Sequence, residues 1–366
     1  MHGNPAETAQ VENTEKIGIS VEKRSVSIDH RIAVAPMMEW TDRHCRYFLR
    51  GFSPDALLYT EMIAAQALLR GDAARLLRHS PEEHPLALQL GGSEPDALAR
   101  AAAMGEAAGY DEINLNCGCP SDRVHSGSFG ACLMLDARRV AECVAAMRAA
   151  VRVPVSVKIR IGVIVPGEEA ARERVQRFDE AAYQRLAGFT AEVAAAGCTV
   201  FIVHAREAVL GGLSPKENRE VPPLRPEVVQ RLKLQFPRLE IVLNGGIRSC
   251  EQAEAALAWC DGVMLGREAY HRPAVLAELQ QQLGTSAGPP LTEAQMLVRM
   301  ARYAEAEVAS GERFAAITRH MLGLYAGRPG ARRYRRLLSE GARDGDAKPE
   351  FLRQIGQHLD SDQVLA

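Results

Sequence analysis

The sequence predicts a (β/α)8 TIM barrel followed by a small all-helical region. Three observations carry that expectation. Eight short apolar runs occur in order, stretches rich in Ala, Leu, Glu and Arg with helical spacing lie between them, and strand signals stop after Pro273. Such runs suit strands covered on both faces, as in a parallel sheet. Strand and helix alternating eight times favours closure into a barrel. An open doubly wound sheet is the second reading, but no GxGxxG follows the first run.

The eight runs are 32–35, 57–60, 86–89, 113–116, 155–158, 200–203, 241–244 and 262–265. Residues 95–107 and 140–151 illustrate the helical spacing between them. Two departures interrupt the pattern. Residues 165–186 form a charged insertion after the fifth run, expected as a solvated surface helix. Residues 205–224 form a longer loop after the sixth run, with Gly211, Gly212, Lys216, Asn218 and Arg219. The expected divisions are a disordered tail over 1–30, a catalytic barrel over 31–283, a Gly/Pro linker over 284–290 and a helical domain over 291–366.

Composition narrows the function classes. At 366 residues the chain holds a large domain and a smaller one. Hydrophobic and charged fractions of 47% and 25% are ordinary for a globular protein. No apolar run approaches the ~20 residues of a membrane helix. The polar N-terminus lacks an apolar signal core, so no signal peptide is expected. The 8 cysteines are scattered without paired CxxC units, which argues against a structural zinc site. A chain of this size needs no disulfide framework, so reduced thiols and a cytoplasmic location are expected. With a net charge of -2, any nucleic-acid binding must come from a local patch.

The active site of such a barrel lies at the C-terminal ends of its strands. Those ends carry Pro36, Met37 and Met38; Gln89; Asn116 and Cys119; Lys158 and Arg160; His204 and Arg206; Asn244, Gly245 and Gly246; and Gly266 with Arg267. The segment 116–121 is the most informative. Gly118 and Pro120 flank Cys119, fixing the backbone and exposing the thiol. Gly245, Gly246, Gly266 and Arg267 follow the last two strands, where this fold often binds phosphate. Lys158 should project into the mouth, and a buried lysine needs an anionic partner. A flavin ring that becomes anionic on reduction would serve, and Gln89 offers the donor and acceptor that match its pyrimidine edge. The set lacks the carboxylates of a metal site, and the lone His204 reads as a hydrogen-bonding neighbour, so no metal is expected.

Together, residues 35–37, 88–92, 116–120, 157–160, 204–206, 244–247 and 266–267 resemble the tRNA-dihydrouridine synthases. Residues 40–46, 213–220 and 318–324 are similar to the A subfamily, and the resemblance runs from Arg31 to about Glu340. It implies an FMN-binding barrel, NADPH as reductant, and tRNA as substrate, modified at D-loop uridines 20 and 20a. It implies Cys119 as the catalytic acid. It puts FMN contacts on Pro36, Met37, Met38, Gln89, Lys158, His204, Asn244, Gly245, Gly246, Gly266 and Arg267. It puts tRNA contacts on Asn116, Arg206, Lys216, Arg219, Arg332 and Arg335. No obligate protein partner or membrane is implied. Two features depart from the family pattern: the second thiol at Cys117 and the length of the 165–186 insertion.

The implied chemistry sets further expectations. An acid must hold its proton, and a free cysteine near pKa ~8.5 does so at pH 7. No strong cation is therefore expected against the Cys119 sulfur in the productive geometry. The loop through Gly127 and Gly130 is expected to close over bound RNA. The target base must leave its stack, which requires an RNA grip outside the mouth. Arg328, Arg332, Arg333, Arg335 and Arg336 form the candidate, with 332, 335 and 336 on one face of a helix. Two other readings share these residues in part: a flavin barrel acting on a free pyrimidine or small enone, and a non-catalytic RNA-binding protein on a vestigial flavin fold.

Overall fold

The computed structural model of the protein describes residues 28–120, 129–165, 177–211, 213–283, 290–341 and 349–363. Eight parallel strands form the barrel: β1 (Ile32–Val34), β2 (Leu57–Tyr59), β3 (Leu86–Gly91), β4 (Glu112–Cys117), β5 (Val155–Arg160), β6 (Val200–His204), β7 (Glu240–Asn244) and β8 (Gly262–Leu265). Their order is β2-β1-β8-β7-β6-β5-β4-β3, and pairing of β2 with β3 closes the cylinder. Alternation along each strand explains the two buried faces. Ile113, Leu115, Val157, Ile159, Phe201 and Val203 join the core shared with the helices, while Ala33, Leu57, Tyr59, Ala87, Ile202, Val242 and Met264 cluster separately inside the barrel.

All eight expected strands are present. Three two-residue strands escaped the sequence reading because they are too short to show a period. Ile63–Ala64 extends the pairing of β3, and Val163–Ile164 pairs with Ala208–Val209 outside the barrel, joining the loops after β5 and β6.

Helices α1 (Arg43–Arg50), α2 (Ala65–Arg70), α3 (Pro95–Ala107), α4 (Ala137–Ala150), α5 (Glu180–Ala195), α6 (Pro226–Gln235), α7 (Cys250–Leu257) and α8 (Ala274–Leu283) surround the strands. Their starts are chemically marked. Asp42, Asp136, Asp179 and Ser249 accept backbone N–H groups at the first turns of α1, α4, α5 and α7, and proline opens α3 and α6. One expectation is corrected here. Residues 180–186 are not part of a separate surface helix: they begin α5, and Tyr183 and Leu186 are buried in the barrel core. Residues 166–176 lie outside the described residues.

A second correction concerns the tail, of which residues 1–27 lie outside the described residues. His30 belongs to the barrel floor. It is 3% exposed, with Nε2 2.6 Å from Glu112 Oε2 and Nδ1 2.8 Å from Glu240 Oε1. Burial alone would depress its pKa, but the bonds to the two carboxylates overcome this and raise it to about 10. The group is thus charged in the folded protein at neutral pH. Its stabilising contribution is full below an unfolded pKa near ~6.5 and is lost as pH rises through the folded value. His30→Ala should cost about 3–5 kcal/mol, because it leaves the buried Glu112 carboxylate without its counter-charge. Urea unfolding checks this: the gap between wild type and variant should shrink on approach to pH 10.

The C-terminal helices are α9 (Glu293–Ala309), α10 (Phe314–Thr318), α11 (Ala331–Gly341) and α12 (Glu350–Gln363). They seat on the barrel through α1. Met296 of α9 packs so tightly on Gly51 that a Cβ there would stand 2.4 Å from its Cε. Asp42 accepts from Arg319 at 2.6 Å and pairs with His320 at 3.0 Å, and Arg43 donates to Glu312 at 2.8 Å. Tyr303 stacks on Tyr47 with ring centres 4.0 Å apart. Among the described residues no helix is long and apolar enough to cross a membrane.

Candidate functional site

Parallel register delivers the inward-facing polar residues to one end of the barrel. Asn116 on β4 stands opposite Lys158 on β5, and Arg160, His204 and Asn244 are successive register partners on β5, β6 and β7. Lys158 Nζ donates to Asn244 Oδ1 at 2.9 Å, and Asn244 Nδ2 donates to the Met264 carbonyl at 2.8 Å. Burial pushes the Lys158 ammonium down to about 7, and the Arg160 guanidinium adds to the effect. Burial first, then Arg160 and Lys158, hold His204 well below the ordinary imidazole range, so it is neutral. Its Nδ1 is buried without a hydrogen-bond partner, an omission that buried polar groups rarely tolerate.

Cys119 lies just past β4 and is half-buried. Asn116 shapes the turn that carries it. Its Oδ1 accepts the backbone N–H of Gly118 at 3.1 Å and of Cys119 at 3.0 Å, as Asx side chains do in turns. The Cys119 carbonyl in turn accepts from Ala131 at 2.9 Å. Asn116 Nδ2 donates to Gln89 Oε1 at 2.8 Å, and Gln89 Nε2 donates to Asn114 Oδ1 at 2.7 Å. Each of Asn116 and Gln89 therefore keeps one amide hydrogen for a ligand. Cys117 is fully buried on the helix-facing side of β4, and burial pushes its thiol well up. The departure from the family pattern at that position leaves the mouth unchanged.

Cations share the mouth with Cys119. Lys158, Arg160 and Arg219 all interact electrostatically with Cys119. The cause is the register of β4 on β5, which sets two inward-facing cations beside the strand end that carries the thiol. Arg160 is also a residue that the sequence reading placed at the mouth without a role. It is buried, and it donates to the carbonyls of Gly118 at 3.2 Å, Glu207 at 3.2 Å and Asn218 at 2.9 Å. It thereby ties the Cys119 turn to the loop after β6. Its signal was available: Ser156, Lys158 and Arg160 occupy alternate positions of one strand.

The remaining candidates fall in two groups. Gly245 and Gly246 have φ of 102° and 85°, and a Cβ on Gly246 would stand 2.3 Å from Leu224 Cδ2, so the turn after β7 requires glycine. At Gly266 a Cβ would meet nothing nearer than 3.9 Å, so the fold itself leaves space there. Arg267 is paired with Glu220 at 2.8 Å. Pro36 and Met37 are half-buried and Met38 is exposed at the end of β1. Among the RNA candidates, Lys216 and Arg219 are exposed, and Arg206 donates to the Pro222 carbonyl. Arg332, Arg333, Arg335 and Arg336 are exposed on α11 while Tyr334 and Leu338 bury its other face. Arg328 pairs with Glu293 at 2.7 Å. Gly127 and Gly212 lie outside the described residues. Among the described residues no group of three or more His, Cys, Asp or Glu is placed to hold a metal ion.

A closed (β/α)8 barrel whose C-terminal mouth gathers a thiol, amides, an imidazole and cations is the architecture of a barrel enzyme. The chain belongs to the dihydrouridine synthase (Dus) family, whose sequence profile matches residues 33–359. It is 55% identical over 312 residues to the tRNA-dihydrouridine(20/20a) synthase of Pseudomonas syringae pv. tomato, covering 85% of this chain and 89% of that one. It is 49% identical over 348 residues to the tRNA-dihydrouridine(20/20a) synthase of Escherichia coli K12, covering 95% of each. The protein is therefore an oxidoreductase of this family.

Proposed function

We propose that this chain is an FMN-dependent, NADPH-driven tRNA-dihydrouridine synthase acting on D-loop uridines 20 and 20a in the cytoplasm. The observation that carries the reading is the juxtaposition of the Cys119 turn with the Lys158–Asn244 pair and the partnerless Nδ1 of His204. The relatives named as tRNA-dihydrouridine(20/20a) synthases support the substrate.

The mouth suits FMN chemically. His204 offers an unfilled polar atom, Gly266 leaves space, and Lys158 is a cation whose charge an anionic ring would restore. Pro36, Met37, Met38, Gln89, Lys158, His204 and Asn244 would hold the ring and its sugar chain. Gly245, Gly246, Gly266 and Arg267 would hold its phosphate. When bound and reduced by NADPH, FMN supplies the hydride that uracil takes at C6.

The protein's own residues supply the rest. Hydride addition at C6 builds negative charge on C5 and O4. Cys119 Sγ gives its proton to C5, completing a two-electron, two-hydrogen reduction of the C5=C6 bond. Asn116 fixes the turn from which the thiol acts, and Arg160 anchors that turn from below. Lys158 and Arg160 share the mouth with that turn. Lys216, Arg219, Arg206, Arg332 and Arg335 hold the tRNA while its base is drawn from the stack.

The test is to incubate the purified protein with NADPH and tRNA lacking dihydrouridine, beside free uracil and uridine. Dihydrouridine should form at positions 20 and 20a, with no measurable turnover of the free compounds. Comparable turnover of free uridine would favour the small-molecule reading instead.

A further inference from the structure

The interior of this barrel is mostly Ala, Leu, Val, Ile and Met, yet one polar line crosses it from floor to mouth. Glu112, Asn114 and Asn116 occupy alternate positions of β4, so all three face inward over about 13 Å. Gln89, Asn114 and Ser156 are register partners on β3, β4 and β5. All five are buried. An apolar filling would pack as well without the cost of burying polar groups.

The line has one direction, agreed at both ends: the Glu112 carboxylate only accepts at the floor, and the N–H groups of Gly118 and Cys119 only donate at the mouth. His30 is an imidazolium, and a charged imidazole only donates. Glu112 therefore accepts from it, and also from the Tyr59 hydroxyl at 2.8 Å and from the Ser156 hydroxyl. Ser156 has one hydrogen, spent on Glu112, so it must accept from Asn114 Nδ2 at 2.7 Å. That points Asn114 Oδ1 at Gln89 Nε2, Gln89 Oε1 at Asn116 Nδ2, and Asn116 Oδ1 at the N–H of Gly118 and Cys119. Flipping any one amide would set donor against donor and acceptor against acceptor.

We propose that Glu112 is a positioning residue for the reaction: acting through Ser156 and Asn114, it fixes the amide orientations of Gln89 and Asn116 and so the turn that carries Cys119. This rests on the reading of Cys119 as the proton donor.

Two variants separate relay from mere packing. Tyr59→Phe and Ser156→Ala each remove one hydrogen bond to the same Glu112 oxygen, but only Ser156→Ala cuts the line. The readouts are kcat and KM with tRNA, and the rate at which iodoacetamide alkylates Cys119 without tRNA, followed by mass spectrometry. Ser156→Ala should lower kcat about 10- to 100-fold with KM for tRNA unchanged. It should also speed alkylation, because the turn loosens. Tyr59→Phe should leave both readouts at wild type, and Ser156→Thr, which keeps the hydroxyl, should restore kcat. Should Ser156→Ala fail to fold, the near-isosteric Ser156→Cys carries the same expectation. Equal effects of Tyr59→Phe and Ser156→Ala overturn the proposal, as does a loss of kcat without any change in alkylation. Full turnover by Cys119→Ala would instead remove the acid role of Cys119, and the alkylation rates would still test the relay.

Discussion

Cys119→Ala should lose about 10²- to 10⁴-fold in dihydrouridine formation while the purified protein stays yellow. The magnitude is what a positioned general acid contributes. Flavin binding should persist because the residues assigned to it lie on other strand ends, and because the Asn116 bonds that shape the turn go to backbone N–H groups, which alanine keeps. The loss should fall on kcat with little change in KM for tRNA, the signature of a group that acts only as a proton moves. Single-turnover oxidation of NADPH-reduced enzyme by tRNA, read at the flavin absorbance, is the measurement. Unchanged turnover would remove Cys119 from the chemistry and shift attention to Lys158, which titrates near neutrality.

Much of this site was legible because a barrel converts sequence position into spatial position. Once the apolar runs are strands, the residue after each run must stand at the mouth, whatever separates the runs along the chain. That logic brought Gln89, Asn116, Lys158, His204 and Asn244 together, and their hydrogen bonds join several of them directly. The logic weakens below the mouth. Glu112, Asn114 and Ser156 sit inside runs that read as strands, and their alternation with Ile113, Leu115 and Val157 marks which face they share, not what they touch. His30 is harder still. It lies outside any run, and its partners Glu112 and Glu240 are 82 and 210 residues away. No local pattern announces a pair of that kind. The α1 seat for the C-terminal helices is similar, since Asp42 meets His320 across 278 residues. Residues 40–46 and 318–324 stood apart from the mouth in the sequence, and the fold makes them two halves of one contact.

The second large effect is expected on the helical side. Replacing Arg332 and Arg335 together by glutamate should weaken tRNA binding by roughly 10³-fold at low salt. Two attractions worth about 1 kcal/mol each in water become repulsions of similar size, a change of about 4 kcal/mol. The same change should flatten the dependence of log K on log salt by about 2, one unit per lost phosphate contact. Folding should be untouched, because both side chains are exposed while Tyr334 and Leu338 hold α11 in place. With the chain at a net charge of -2, no global field can compensate for a lost patch. Filter binding across a salt series measures affinity and slope together, and kcat at saturating tRNA should stay near wild type, since neither arginine is assigned a part in the chemistry. An unaltered affinity would leave Lys216 and Arg219, on the loop after β6, as the principal grip, and would make the exposed face of α11 a solvated surface with no part in recognition.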